Sequence, residues 1–246
     1  MTSNLVVTIP ARFKSSRLPG KPLKMINGKS MIHHVWDICI KAAGKKNVFV
    51  LTDSDLIQKY CHKNLINVYM TSEKCKTGTD RIYEFAKKNK YTYYINVQGD
   101  EPLLNPEHIK KVIRSIKKYK CLINCYSKCT ANEYLSLNIP KVVVDNNENL
   151  IYMSRAPIPA TKNKIIPTNI YKQICIYGFT YNDLIKFGKF GKKSRNEQYE
   201  DIEILRFLDF GSKIKMLNIK SSSIAVDTIS DLNRVRKIFA DKFKKS

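Results

Sequence analysis

Four cationic side chains lie in the loop that follows the first apolar run of the sequence. Residues 5–9 (LVVTI) are mostly β-branched, and Pro10 then opens the segment PARFKSSRLPGKP. The loop carries the cations Arg12, Lys14, Arg17 and Lys21 and the hydroxyl groups of Ser15 and Ser16. At the carboxyl end of a parallel strand, such groups and backbone N–H groups are suited to hold a triphosphate. The alternative is a basic surface turn, and in either case we expect Lys21 to be exposed and to contribute little to folding.

Two acidic segments offer ligands for a metal ion. Asp100 and Glu101 follow a predicted strand, and Asp227 precedes the last predicted helix. Mg²⁺ takes hard oxygen ligands and is usually shared between carboxylates and substrate phosphates. Although they are far apart in sequence, Asp100 and Asp227 could converge on one Mg²⁺. The alternatives are a surface turn for Asp100 and Glu101 and a helix cap for Asp227.

Other catalytic and metal-binding patterns are weaker. The loop over residues 10–22 matches neither GxxxxGK[ST] nor GxGxxG. The four histidines of the chain show no Ser-His-Asp or Cys-His pattern. We interpret His33 and His34, which lie in a predicted helix, as structural. The cysteines are an odd seven, and the run Cys121, Cys125 and Cys129 lacks a CxxC pair or a nearby His. Buried thiols are therefore favoured over a zinc site and over a disulfide framework.

Apolar runs and helical spacing predict alternating strands and helices in the first half of the chain. The predicted strands cover residues 5–9, 47–51, 66–70 and 92–97, and the predicted helices cover 31–43, 54–62, 79–88 and Asn105 to about 118. This order favours an α/β fold with a mostly parallel sheet and helices on both faces.

The second half is less regular. Strands are predicted at 121–126, 141–145, 173–179 and 213–219, an extended segment at 151–159, and helices at 197–210 and 230–243. Ser230 is the expected N-cap of the last helix. No repeat or linker is visible, so we predict one domain over residues 1–246 with an inserted antiparallel portion.

Charge leaves two interpretations open. With 44 Lys+Arg and 21 Asp+Glu, the formal net charge is +23. Such an excess is typical of nucleic-acid binding or of attraction to a small polyanion, but it also fits lysines that fill solvated surface. The lysines are spread along the chain, and no RNA-binding module sequence interleaves aromatic residues with them, which favours the solvated surface and no nucleic-acid partner. No long apolar run or secretory leader is visible, so we expect a cytoplasmic protein without membrane attachment.

Taken together, the segments resemble one enzyme family. IPARFKSSRLPGKPLKMINGKSMIHHV, TGTDR, NVQGDEP, YMSRAPIP, IYGF, NEQYEDIEILR and VDTISDLNRVR occur in the order seen in 3-deoxy-manno-octulosonate cytidylyltransferases (CMP-KDO synthetases). The resemblance covers essentially the whole chain, and RLPGKPL and NVQGDEP are its most specific parts. It implies a nucleotidyltransferase fold with a small antiparallel dimerisation portion, hence a homodimer. It also implies transfer of CMP from CTP to a 2-keto sugar acid, with release of pyrophosphate.

The resemblance assigns roles residue by residue. The expected catalytic set is Arg12 and Lys21 on the CTP phosphates and Asp100 and Asp227 on Mg²⁺. The residues implied around the nucleoside are Ala11, Thr77, Gly78 and Gln98. The residues implied on the sugar side are Gln98, Arg155, Gln173, Tyr177 and Glu203. Attack of a sugar hydroxyl on a phosphate needs positioning and charge neutralisation more than a covalent nucleophile, which agrees with this set.

This chain departs from the family pattern on the sugar side. Gln173 replaces a usual His, and Ile204 replaces a usual Gln next to Glu203. Lys74 and Cys75 replace an Asp-His pair. The acceptor is therefore KDO or a related acid such as a modified octulosonate or a phosphonate, and a catalytically inactive nucleic-acid-binding relative is the non-enzyme alternative. The sequence does not choose between lipopolysaccharide, capsule and other pathways.

Overall fold

The chain forms two compact units in a computed structural model that describes residues 4–15, 17–163, 165–221 and 223–243. The first unit comprises Met1–Lys111 and Ser222–Ser246, and the second comprises Val112–Ser221. Ser16, one of the two hydroxyl residues of the cationic loop, lies outside the described residues. A single domain over residues 1–246 stays a prediction.

The first unit is built on a parallel sheet. Its elements are β1 (Leu5–Ala11), β2 (Met25–Ile26), β3 (Lys29–Ser30), α1 (Met31–Ala43), β4 (Val48–Thr52), α2 (Asp55–Lys63), β5 (Val68–Met70), α3 (Gly78–Lys88), β6 (Tyr93–Val97), the first part of α4 (Pro106–Tyr119), and α9 (Ile229–Phe243). The strands run in the order β5-β4-β1-β6, all parallel, and β2 and β3 form a separate antiparallel pair. The carboxyl ends of β1, β4 and β6 therefore meet at one edge.

Helices cover both faces of this sheet. A Cβ on Gly99 would lie 3.1 Å from Cδ1 of Ile32 in α1 and 3.6 Å from Cγ2 of Ile9. A Cβ on Gly78, the first residue of α3, would lie 3.5 Å from Pro10. Because Ile9 and Pro10 point to opposite faces of β1, α1 and α3 pack on opposite faces. The predicted α/β fold is confirmed in this unit.

Capping explains why α1 agrees with its predicted span. The Ser30 hydroxyl accepts from the N–H of His33, and Gly44 ends the helix with a left-handed φ of 80°. His33 Nδ1 lies 3.2 Å from Oη of Tyr60, and His34 Nε2 lies 2.7 Å from the Ile26 carbonyl oxygen. Both histidines therefore join neighbouring elements, which confirms their structural interpretation.

The second unit carries the antiparallel portion. Its elements are the end of α4, β7 (Leu122–Lys128), α5 (Ala131–Leu135), β8 (Lys141–Val144), β9 (Leu150–Ser154), β10 (Tyr171–Thr180), α6 (Tyr181–Phe190), α7 (Arg195–Glu200), α8 (Leu205–Asp209) and β11 (Ile214–Asn218). β7 pairs antiparallel with β10, β10 with β8, and β8 with β9, whereas β11 is parallel to β7. The predicted antiparallel portion is confirmed, and its role in dimerisation stays a prediction.

The predicted helix over residues 197–210 is wrong, because two short helices replace it. α7 ends at Glu200 and is capped by Asp201, whose φ of 50° is left-handed, and α8 begins only at Leu205. The Arg155 guanidinium donates to the carbonyl oxygens of Glu200 and Asp201 at this break. A cation at a helix C-terminus satisfies carbonyl groups that have no partner in the helix, which stabilises the interruption.

The expected N-cap Ser230 is also wrong. α9 begins at Ile229, so Ser230 is already inside the helix. Thr228 caps instead, since its hydroxyl accepts from the N–H of Asp231 at 3.2 Å and the Asp231 carboxylate accepts from the Thr228 N–H at 2.8 Å. This reciprocal pair also orients Asp227, whose N–H donates to the same carboxylate.

The described residues, which include all seven cysteines, contain no disulfide bond. Cys39, Cys61, Cys125 and Cys129 are buried, as predicted, and the other three are half-buried. Cys125 lies in β7 and Cys121 and Cys129 directly flank it. Residues four apart along a strand lie about 13 Å apart, so these three cysteines do not form one site. Burial raises the pKa of Cys61 to about 12, so its thiol is protonated at neutral pH. The part of the chain that the structure describes contains no helix long and apolar enough to cross a membrane.

Candidate active site

The cationic loop folds back on itself just beyond β1. Gly20 adopts a left-handed φ of 66°, and its N–H donates to the Phe13 carbonyl oxygen at 3.2 Å. A Cβ on Gly20 would come within 3.3 Å of the Phe13 ring, so glycine suits this turn in both conformation and space. The turn leads into a short 3₁₀ segment that begins at Lys21, while Arg12 remains exposed.

Lys21 links the two predicted metal ligands. Its Nζ lies 2.7 Å from Oδ2 of Asp100 and 3.1 Å from Oδ1 of Asp227. Two oxygens that contact one nitrogen at these distances are less than 6 Å apart. The expected convergence of Asp100 and Asp227 is therefore present within the first unit. Arg17 adds a second cation, with Nη2 3.2 Å from Oδ1 of Asp227.

The charge balance of this cluster holds Lys21 in place. Burial alone lowers the pKa of the Lys21 ammonium, but the charges and hydrogen bonds of Asp100 and then Asp227 outweigh it and raise the pKa above its usual value. The Lys21 side chain is only 16% exposed. The expectation of an exposed loop cation is wrong, because both carboxylates draw the side chain inwards.

Apolar packing brings the two acidic segments together. Leu18 of the cationic loop is buried with Met31 and Val226, together with residues of α9. The Val226 N–H donates to the Asp100 carbonyl oxygen at 2.9 Å. The loop, the Asp100 turn and the segment before α9 therefore share one small core, which places Lys21, Asp100 and Asp227 at its rim.

The residues assigned to the nucleoside lie at the same edge of the sheet. Ala11 ends β1, and Gln98 follows β6 directly. A Cβ on Gly78 would lie 3.5 Å from Nε2 of Gln98. The Thr77 hydroxyl accepts from the Asp80 N–H, and the Asp80 carboxylate accepts from the Thr77 N–H, forming a capping box. Ala11, Gly78 and Gln98 thus lie at the edge of the sheet that also carries Asp100.

The close approach of Gly99 to β1 gives a testable expectation. A Cβ there would lie 3.2 Å from the Pro10 carbonyl oxygen and 3.1 Å from Ile32. Gly99→Ala should therefore cost about 1–3 kcal/mol in the free energy of unfolding and weaken CTP binding, because the backbone before Arg12 must move. Urea unfolding and calorimetry of CTP binding measure both effects. Gly28→Ala is the control. Its added Cβ would have nothing within 4 Å, but its left-handed φ of 81° strains an alanine, so we expect it to lower stability without weakening CTP binding.

The residues assigned only to the sugar side lie in the second unit. Gln173 is buried in β10, and its Nε2 donates to Oδ1 of Asn124 and to Oη of Tyr177, both at 3.1 Å. The Asn124 amide in turn donates to the Ile174 and Ile176 carbonyl oxygens at a register shift in β10. Gln173 and Tyr177 therefore belong to one hydrogen-bonded network.

Arg155 is held mainly by the main chain. Its guanidinium donates to the carbonyl oxygens of Leu137, Asn138, Glu200 and Asp201. Four of its five N–H groups are used in this way. A role in binding the acceptor carboxylate stays a prediction, and it would require exchange of some of these bonds. Glu203 and Ile204 lie between α7 and α8, where Ile204 is only 1% exposed.

Sequence reasoning missed two residues that organise this part of the second unit. Lys141 is fully buried, and its ammonium donates to the carbonyl oxygens of Ser136, Ile139 and Arg155. Burial lowers the pKa of Lys141. Glu200 accepts hydrogen bonds from the Ser154 hydroxyl and the Arg155 N–H. A lysine that begins the apolar run KVVV was the signal for Lys141.

The described residues contain no cluster of three or more His, Cys, Asp or Glu side chains suited to a metal ion. A protein-only cage for zinc or calcium therefore finds no support there. Two converging carboxylates are instead the kind of site that Mg²⁺ shares with substrate phosphates. The donor set fits that use.

Comparison with known proteins agrees with this arrangement. Residues 6–216 match the protein family described as Cytidylyltransferase. The 3-deoxy-manno-octulosonate cytidylyltransferase of Elusimicrobium minutum is 37% identical over 238 residues, with 94% of this chain and 96% of that protein covered. The protein of the same name from Escherichia coli is 33% identical over 243 residues, with 98% of each covered.

Solved structures extend the comparison to the fold. CMP:2-keto-3-deoxy-manno-octonic acid synthetase complexed with CTP is 32% identical and superposes with a TM-score of 0.91 over 98% of this chain and 100% of its own. A cytidylyltransferase from Leptospira borgpetersenii, at 15% identity, has a TM-score of 0.64 over 97% of this chain and 87% of its own, and supports the fold alone.

The fold, the cluster at the sheet edge and the family match define an enzyme of the nucleotidyltransferase class. Within that class, the chain belongs to the 3-deoxy-manno-octulosonate cytidylyltransferase family. The motif resemblance is thereby confirmed, as is the predicted mostly parallel α/β fold with an antiparallel portion. The individual site assignments remain predictions.

Proposed function

We propose that this chain transfers CMP from CTP to the anomeric hydroxyl of KDO, giving CMP-KDO and pyrophosphate, with Mg²⁺ as cofactor. The observation that carries the proposal is the convergence of Lys21, Asp100 and Asp227 at the carboxyl edge of the parallel sheet. The names of the relatives and the CTP held by the similar solved structure support the substrates. Retention of this cluster argues against an inactive nucleic-acid-binding relative.

The two carboxylates are the residues that would hold Mg²⁺. They converge on a single cationic group, and their side chains are 25% and 32% exposed, so they are open to solvent and to a substrate phosphate. When bound, Mg²⁺ supplies Lewis-acid stabilisation of phosphoryl charge and lowers the pKa of a coordinated hydroxyl. The hydrogen bond from the Val226 N–H to the Asp100 carbonyl oxygen ties the two acidic segments together and so keeps the two carboxylates near each other.

The cations of the loop neutralise charge during the reaction. The sugar hydroxyl oxygen bonds to the α-phosphorus, the bond from that phosphorus to the pyrophosphate oxygen breaks, and the hydroxyl proton is released to solvent. Lys21 and Arg12 bind the phosphate oxygens, where charge develops on the leaving pyrophosphate. Thr77, Gly78 and Gln98 fix the nucleoside so that the α-phosphorus faces the acceptor. No covalent enzyme intermediate is needed.

The assay that tests the function measures pyrophosphate release from CTP, Mg²⁺ and KDO, with a panel of other 2-keto acids and phosphonates in parallel. We expect release that requires CTP, Mg²⁺ and an acid acceptor together. Preference for another acid would replace KDO but keep the cytidylyltransferase. No release with any acceptor, combined with salt-sensitive binding of RNA or DNA, would contradict the proposal and favour the nucleic-acid-binding alternative.

Gln173 is the residue through which acceptor preference can be tested. Restoring the usual family residue with Gln173→His should raise kcat/KM for KDO about tenfold, equivalent to about 1.4 kcal/mol, and leave KM for CTP unchanged. Steady-state kinetics on KDO and the best alternative acid measure the change. Ile204→Gln, the other change towards the family pattern, is not combined with it. Ile204 is buried, and burial of an amide without hydrogen-bond partners would destabilise the protein.

A companion change is Tyr177→Phe, which removes one hydrogen bond to Gln173 and keeps the ring. Because Tyr177 is itself assigned to the sugar side, we expect it to lower kcat/KM for the acceptor by up to about tenfold, the size of one lost hydrogen bond, and to leave KM for CTP unchanged. A wild-type enzyme that is already efficient on KDO and indifferent to Gln173→His would show that the departure does not affect acceptor choice.

A homodimer and a cytoplasmic location complete the proposal. The second unit exposes several large apolar side chains: Leu135, Leu137, Ile151, Ile165 and Tyr199, at 56–77% exposure. A contiguous exposed apolar surface is typical of an interface between copies, and we propose that these side chains contribute to one. Sedimentation equilibrium should give twice the 28.5 kDa chain mass. A monomer at micromolar concentration would contradict this part of the proposal without affecting the chemistry.

A further inference from the structure

The segment between β5 and α3, residues 71–77, is tied to α3 at three points. Near its start, the Ser72 N–H donates to the Glu84 carboxylate at 3.0 Å. In its middle, the Cys75 thiol donates to the same carboxylate at 3.2 Å. At its end, the Thr77 N–H donates to the Asp80 carboxylate at 2.9 Å. We call this segment the 71–77 loop.

Arg81 provides a further tie, and it extends to a neighbouring strand. Its Nη1 donates to Oγ1 of Thr71 at 2.7 Å, and its Nη2 donates to Oδ2 of Asp53 at 2.6 Å. Arg81 is 4% exposed, and Asp53 directly follows β4. The planar guanidinium thus joins α3 to the carboxyl ends of β4 and β5, a geometry that Lys cannot reproduce.

The other end of this network reaches the candidate nucleotide site. Thr52, which precedes Asp53, pairs in register with Ala11. The 71–77 loop ends at Thr77 and Gly78, and a Cβ on Gly78 would lie 3.5 Å from Nε2 of Gln98. A change in the length or angle of the Arg81 bridge would therefore move Gly78 relative to Gln98.

Burying the charge of Arg81 beside the half-buried Asp53 is an expensive way to hold a loop when stability is the sole requirement, since apolar residues often do as well. The pair does fix geometry, because the planar fork of N–H donors on Arg81 fits only one arrangement of acceptors. We propose that Arg81, paired with Asp53, is a positioning residue that sets the 71–77 loop for nucleotide binding. This inference rests on the proposed function, because it takes Thr77 and Gly78 to border the nucleoside.

The test compares conservative variants of the bridge by CTP affinity. Arg81→Lys keeps the charge but loses the fork, and Thr71→Val removes one acceptor at similar volume. We expect Kd for CTP to rise at least tenfold in Arg81→Lys and a few-fold in Thr71→Val, with KM for the acceptor within twofold of wild type. Calorimetry with CTP alone and steady-state kinetics give these values. Asp53→Asn should behave like Arg81→Lys.

A second Arg–carboxylate pair, buried at both ends, supplies the control. Arg206 Nε lies 2.6 Å from Oε2 of Glu197, and both side chains are at most 2% exposed. This pair lies in the second unit. Arg206→Lys should lower thermal stability at least as much as Arg81→Lys while leaving Kd for CTP unchanged.

The outcomes separate the two proposals. A wild-type protein that does not bind CTP would overturn the proposed function itself. Wild-type binding of CTP together with unchanged Kd in folded Arg81→Lys, Asp53→Asn and Thr71→Val would overturn only the positioning role. An equal rise of Kd in Arg206→Lys would also overturn it, because the effect would then follow from lost stability. If Arg81→Lys does not fold, Thr71→Val and Asp53→Asn decide the question.

Discussion

Asp100→Asn and Asp227→Asn should each lower kcat for CMP transfer about a thousandfold or more, which corresponds to about 4 kcal/mol of transition-state stabilisation. Asn has nearly the size of Asp but no charge, so each change halves the anionic character of the site that we assign to Mg²⁺. Pyrophosphate release at saturating CTP measures the effect, and the dependence on Mg²⁺ concentration should shift to higher values.

The double variant distinguishes a shared metal from two independent roles. If both carboxylates hold one ion, loss of either carboxylate removes most of the rate enhancement that the ion gives. The kcat of the double variant Asp100→Asn with Asp227→Asn should then be only slightly below that of the slower single variant. If instead the fold losses of kcat in the two single variants multiply in the double variant, the two residues have separate functions. Near-wild-type turnover in either single variant would contradict the shared site outright.

Asp37→Asn is the matched control for these changes. Asp37 of α1 also pairs with a lysine, since Nζ of Lys29 in β3 lies 2.6 Å from its Oδ2, but this bond is exposed and belongs to no proposed site. We expect kcat and Mg²⁺ dependence to stay at wild-type values, because an exposed ion pair contributes little to stability. Loss of activity there would point to a general effect of removing negative charge.

Local patterns accounted for much of the first unit. The helix over 31–43 was predictable because Ser30 and Gly44 mark its ends and its apolar residues recur at helical spacing. α6 was missed, although Thr180 and Asp183 form a capping box at its start. Its aromatic and glycine residues are weak helix formers, and it follows directly on the long strand β10, so packing rather than propensity decides its structure.

The candidate site was predictable in its residue types but not in its contacts. Charge and strand-end position indicated Asp100 and Lys21, yet nothing local to Asp227 shows which loop it will meet. That meeting depends on ordinary apolar residues, Leu18 and Val226, which share a small core. Such packing is set by tertiary structure, so the local sequence by itself favoured a helix cap for Asp227.

The same limit applies to Arg155, whose sequence context favoured a carboxylate-binding role. Its main-chain partners lie 17–18 and 45–46 residues away, and they include the carbonyl groups at the end of α7. Because the break between α7 and α8 was not predicted, the need for a cation there could not be predicted either. The error in one helix therefore concealed the structural partners of a site residue.

Lys21→Met should raise Kd for CTP and lower kcat/KM together by about a hundredfold, because a charge-assisted hydrogen bond to phosphate contributes about 1.5–3 kcal/mol. Met keeps most of the apolar stem, so the buried contacts of the side chain are largely preserved. Calorimetry with CTP and steady-state kinetics measure the two quantities. Thermal unfolding should also show a loss of stability, smaller in free energy than the loss in CTP binding, since Asp100 and Asp227 lose a common counter-charge.

Two further variants make this expectation specific. Lys21→Arg keeps the charge but places it on a longer, planar group, so it should recover stability more fully than CTP affinity. Lys29→Met removes an exposed lysine that is also paired with an Asp and should change neither quantity. If Lys21→Met bound CTP with wild-type affinity and turned over normally, Lys21 would serve only to neutralise Asp100 and Asp227. The triphosphate would then have to be held by the remaining loop cations, beginning with Arg12, whose side chain is exposed.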